Sequence, residues 1–103
     1  DLIKKYSEEF KNLPIFITGD FNMTTDTLGY AQMTKHFTDV NKVTANYNGI
    51  TYHGYDESNE ECRLIDYCFI NENVKGKSYR VLNKTFDGKY PSDHFGLKIE
   101  LDI

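Results

Sequence analysis

The sequence predicts a mixed α/β domain, and three patterns carry that expectation. Leu2, Tyr6, Phe10 and Leu13 recur at intervals of four, four and three residues, a helical stripe with Lys, Glu and Asn between them. Ile15-Phe16-Ile17-Thr18 and Leu64 to Ile70 are apolar runs too short for buried helices, the first bounded by Pro14 and Gly19. Phe95 to Ile103 alternates cleanly, with Phe95, Leu97, Ile99, Leu101 and Ile103 on one face and Lys98, Glu100 and Asp102 on the other.

The elements follow in order. The first helix should stop at Pro14, because the residue before proline avoids the helical region. Ile15 to Thr18 is then a buried strand. Thr25, Asp26 and Thr27 supply caps for a second, shorter helix that carries Leu28, Tyr30, Ala31, Met33 and Phe37. Asn41 to Gly54 is rich in Asn, Thr and Gly and reads as loop, with a short strand at Ile50-Thr51-Tyr52. Leu64 to Ile70 is apolar on both faces apart from Asp66, so it should lie between two layers. Tyr79 to Leu82 reads as a further strand.

Residues 1–103 read as a single segment, long enough for one small domain and not two. Its 39% hydrophobic and 27% charged residues are ordinary for a globular protein. No segment is long or apolar enough to span a membrane, and Asp1-Leu2-Ile3-Lys4-Lys5 has no signal-peptide character. A net charge of -4 argues against non-specific grip on nucleic acid, although a nuclease with an acidic, metal-free site stays open. Lys75, Lys77, Arg80 and Lys84 read as a solvated face. Cys62 and Cys68 form neither a zinc nor a CxxC signature and read as free thiols.

Chemistry concentrates at strand ends. Asp66 sits on a face otherwise made of Leu64, Cys68 and Ile70, where an unpaired carboxylate costs several kcal/mol or turns neutral. Its partner is either a base such as Arg63, as a structural ion pair, or a histidine. His94 opens the last strand, and a carboxylate on one imidazole nitrogen would set its tautomer and raise the basicity of the other nitrogen. Asp93 is either a metal ligand, or beside one, or a turn residue after Pro91. Asp20 and Asn22 lie two apart just past a strand, so either they face one pocket or they form an Asx turn. His53, in Thr51-Tyr52-His53-Gly54-Tyr55, either lines a substrate pocket or packs in its loop. His36 reads as surface.

Gly19-Asp20-Phe21-Asn22, Arg63-Leu64-Ile65-Asp66-Tyr67 and Pro91-Ser92-Asp93-His94 together resemble, in order and spacing, the motifs of the endonuclease/exonuclease/phosphatase superfamily. The resemblance covers essentially the whole chain. It implies an α/β (α+β) fold, the C-terminal half of a four-layered α/β sandwich with two packed mixed β-sheets flanked by helices. It implies phosphoester hydrolysis assisted by Mg²⁺ or Mn²⁺, on a nucleic acid, sugar phosphate, inositol phosphate or phospholipid head group. Carried over, Asp20 orients or deprotonates the attacking water and Asn22 holds a phosphate oxygen. Asp66 orients His94, His94 stabilises the phosphate charge, and Asp93 sits at or beside the metal. Thr51 to Tyr55 further resembles a bacterial branch of undefined substrate. Family domains reach about 250 residues, and the half that usually carries a metal-binding Glu, an Asn and another His has no counterpart here. The expectations are low activity for these residues alone, and exposed apolar surface that favours dimerisation. The alternative is a non-catalytic interaction or folding module that keeps the site residues.

Overall fold

The first helix begins where Asp1 can cap it. Its carboxylate accepts the N–H of Ile3 at 3.0 Å, and α1 runs Leu2–Glu9. The chain then turns through Pro14 into strand β1, Phe16–Asp20. Thr27 caps α2, Leu28–Thr34, its hydroxyl accepting the N–H of Tyr30. Strand β2 (Thr38–Asp39) leads directly into α3 (Val40–Val43), followed by β3 (Asp66–Ile70), β4 (Lys75–Leu82) and β5 (Gly96–Asp102). This computed structural model describes all residues, 1–103.

Two antiparallel sheets result. One has the order β1-β3-β2 and the other pairs β4 with β5. As the apolar pattern predicted, β3 is covered on both sides. Tyr67 and Phe69 pack with Met33 and Phe37 under the helices. Cys68 and Ile70 pack with Val40, Val74 and Tyr79, against which Leu97, Ile99 and Leu101 of β5 lie. The fold class is therefore the α/β class expected, with helices outside one sheet and a second sheet beyond it.

Six expectations are corrected, the first being β1, read as buried but largely exposed at the edge of its sheet. Leu2, Tyr6, Phe10 and Leu13 face solvent, because α1 spans only eight residues and seats Ile3 on the core instead. Leu28 and Ile103 are exposed at the ends of their elements. The stretch from Asn41, read as loop, contains most of α3. The buried Asp39 carboxylate caps it, and the buried Asn41 amide clamps the backbone of Tyr47 at 2.8 and 2.7 Å. Strand β4 begins at Lys75, four residues earlier than read from Tyr79, because backbone pairing with β5 needs no apolar side chains. Ile50-Thr51-Tyr52 makes no strand; Tyr52 forms single bridges to Arg63 and to His94. Both cysteines are free, and the Lys75, Lys77, Arg80 and Lys84 side chains are solvated.

Candidate active site

The ladder between β1 and β3 ends with Asp20 directly opposite Asp66. Two carboxylates thus share one end of a sheet, where like charges are unfavourable unless a cation or proton lies between them. The site is built around that pair.

His94, at the entry to β5 in the other sheet, supplies the intervening group. Its Nδ1 lies 2.8 Å from Asp66 Oδ2, and its Nε2 lies 3.6 Å from Asp20 Oδ2. Burial alone would depress the His94 pKa. The hydrogen bond that His94 donates to Asp66 and the charges of Asp66, Asp20 and Asp93 outweigh burial and leave it raised. The imidazole is therefore held toward its charged form, with Nδ1–H donating to Asp66 and Nε2 turned to Asp20. The three groups place donor atoms within 4.8 Å of one another.

Asn22 reaches the same corner by a route other than strand alternation. The strand ends at Asp20, and Gly19 turns the backbone with φ of +145°, a conformation that favours glycine. Asp20 Oδ1 accepts the N–H of Asn22 at 2.8 Å, and Asn22 adopts φ of +49°, which Asn tolerates. The Asx turn and the shared corner are thus one arrangement. Arg63 Nη2 donates to Asn22 Oδ1 at 3.1 Å, which leaves the amide nitrogen free to donate elsewhere. So Arg63 pairs with Asn22, not with Asp66.

Asp93 stands outside the convergent group of three, although its charge reaches His94. Its carbonyl accepts the N–H groups of His53 and Gly54 at 3.0 and 3.1 Å. His53 does not line an open pocket. It is fully buried, its ring tilted against those of Tyr90 and Phe95 at 4.2 and 4.6 Å, and its Nδ1 accepts the N–H of Tyr55. Packing in a crowded loop hides the ring, so in this chain its visible work is structural. Three supports were not legible in the sequence: the Tyr52 ring set edge-on to His94 at 5.2 Å, the Tyr79 hydroxyl donating to the Asp66 carbonyl at 2.8 Å, and the Thr51 contacts described below. Each joins segments distant in sequence, which periodicity does not report.

Two clefts adjoin the site. One, of about 410 Å³, opens between the sheets beside Asp66 and is lined by Thr18, Gly19, Phe95, Leu97 and Ile99. The other, of about 300 Å³, lies beyond Arg63, with Thr24, Thr25, Lys42, Asn48 and Cys62 among its walls.

Curated proteins give no match. Among solved structures, a conserved protein of unknown function from Enterococcus faecalis V583 aligns with TM-score 0.82 at 23% identity, over 98% of this chain and 41% of that one. At that identity the likeness shows the fold. A mannosyl-6-phosphatase of Bacteroides thetaiotaomicron VPI-5482 aligns with TM-score 0.80 at 30% identity, over 99% of this chain and 43% of that one. An endonuclease/exonuclease/phosphatase family protein of Bacteroides thetaiotaomicron aligns with TM-score 0.78 at 29% identity, over 97% of this chain and 41% of that one. The chain thus spans about two fifths of the length of the structures it matches. The Endonuclease/Exonuclease/phosphatase family matches residues 5–94, a stretch that holds both strand ends and all three motifs, and the chain belongs to that family.

Proposed function

We propose that residues 1–103 form the C-terminal half of a metal-dependent phosphoester hydrolase domain. The observation that carries this is the convergence of Asp20, Asp66 and His94 at one sheet end. Likeness to a mannosyl-6-phosphatase supports a phosphomonoester, and a sugar phosphate as its class. The cleft beyond Arg63 supports the same reading, because its hydroxyl, amide and cationic groups suit a hydroxyl-rich anion.

The donor set fits a hard divalent cation. Mg²⁺ takes one or two protein carboxylates, keeps several waters and binds substrate phosphate. Asp93, which stands outside that group but whose charge reaches His94, would help hold Mg²⁺ or Mn²⁺. The bound ion would neutralise phosphate charge and lower the barrier to displacement. The remaining work falls to this chain. Asp20, the most exposed of the three, would orient water and take its proton. The Asn22 amide nitrogen would donate to a non-bridging phosphate oxygen. His94, its pKa raised by Asp66 and the neighbouring carboxylates, would face the charge that develops on the phosphoryl group.

The test is Mg²⁺-dependent phosphate release by the complete domain from sugar phosphates, with phosphodiesters as controls. His94→Ala and Asp20→Ala should each lower kcat by about 10²–10⁴-fold. Undiminished turnover in either variant would remove that residue from the mechanism. The 103 residues alone should turn over little, since they bring only two carboxylates and one imidazole to the centre. Robust Mg²⁺-dependent turnover by them would overturn that part.

A further inference from the structure

We propose that Thr51 is the positioning residue that sets Asp66 against His94. The inference rests on the hydrolase reading only for its kinetic consequence. Asp66 belongs to the β1-β3-β2 sheet and His94 leads into the β4-β5 sheet, and no ladder joins the two sheets. Something else must hold the 2.8 Å contact between them.

Thr51 is fully buried between the two segments. Its Oγ1 accepts the N–H of Ile65 at 3.0 Å and the N–H of Asp66 itself at 3.3 Å. Its carbonyl accepts the N–H of Phe95, next to His94, at 2.7 Å, and its own N–H donates to the Arg63 carbonyl at 3.0 Å. One residue is therefore tied to the backbone of Asp66 and to that of Phe95, the residue after His94. The next residues complete the grip: the N–H groups of His53 and Gly54 hold the Asp93 carbonyl, and the Tyr52 ring stands against His94. Tyr52 adds a bridge on each side, to Arg63 and to His94.

The hydroxyl is the component that side-chain substitution can remove. Thr51→Val keeps the shape but leaves two buried N–H groups without an acceptor, so the start of β3 must shift to find water or another partner. Displacement of a catalytic group by about 1 Å costs on the order of a hundredfold in rate.

The experiment uses the 103-residue chain and nuclear magnetic resonance. The His94 Nδ1 proton, hydrogen-bonded to Asp66, should appear as a downfield imidazole resonance in the wild type and in Thr51→Ser, which keeps the hydroxyl. In Thr51→Val and Thr51→Ala, with methyl dispersion confirming the fold, that resonance should be lost or move upfield. In the complete domain, Thr51→Val should lower kcat by about 10–100-fold with KM little changed, and Thr51→Ser should restore most of it. A folded Thr51→Val or Thr51→Ala variant with the resonance intact overturns the proposal, as does its loss in folded Thr51→Ser. Absence of the resonance from the wild type would instead remove the Asp66–His94 pair itself, and with it the hydrolase reading.

Discussion

Asp39 shows how one buried residue works outside the site. Its carboxylate is almost fully enclosed, accepts the Tyr30 hydroxyl at 2.8 Å and caps α3. Burial raises its pKa above the ordinary carboxylate value, against the lowering effect of those hydrogen bonds and of Lys42. The folded state therefore holds the Asp39 proton more tightly than the unfolded state. The resulting stabilisation is present below the unfolded value of 3.8 and is lost as pH rises through the folded value. Asp39→Asn removes this titration and keeps an acceptor for the cap. The thermal stability of Asp39→Asn relative to wild type should therefore rise between pH 4 and pH 7. A constant difference between the two proteins across that range would contradict it. Asp39 drew no attention in the sequence, because nothing local says that a Thr-Asp-Val run ends under a tyrosine.

At the scale of elements, the strand ends carry the arrangement and few hydrogen bonds cross between the sheets, whose shared core is apolar. Besides the bridge through Thr51, Tyr79 is a direct polar link. It is buried in β4, and its hydroxyl reaches the Asp66 carbonyl in the other sheet. Tyr79→Phe removes one hydrogen bond, leaves a carbonyl unpaired, and should cost about 1 kcal/mol. For a domain of this size that is a fall in Tm of about 4–8 °C. Calorimetry would check it, and an unchanged Tm would show that the carbonyl finds another partner. Strand β3 was legible from its two apolar faces, and β5 from its alternation. The start of β4 was not, because Lys75-Gly76-Lys77-Ser78 has no apolar period and forms a strand only by pairing with β5.

For the whole molecule the notable surface is apolar. Leu2, Tyr6, Phe10, Leu13 and Phe16 are all exposed, and they lie on α1, the turn after it and the edge strand β1. Such a surface favours association with another protein surface, a second copy included. Light scattering at increasing concentration should show self-association of the 103-residue chain. Replacing Tyr6 and Phe10 with Ser should reduce it. A clean monomer at high concentration would sink the idea.

The sequence by itself determined the family, the α/β class and the identity of the acidic and histidine residues at strand ends. A carboxylate inside an apolar strand has to be paired, and that requirement is visible without coordinates. It left open which partner each residue takes. Asp66 turned to His94, Arg63 turned to Asn22, and His53 was buried under Tyr90 and Phe95. These outcomes depend on the register that sets Asp20 opposite Asp66, and on Thr51 bridging two sheets. Only the tertiary structure decided them, because contacts between residues 15 to 46 positions apart leave no period in the chain.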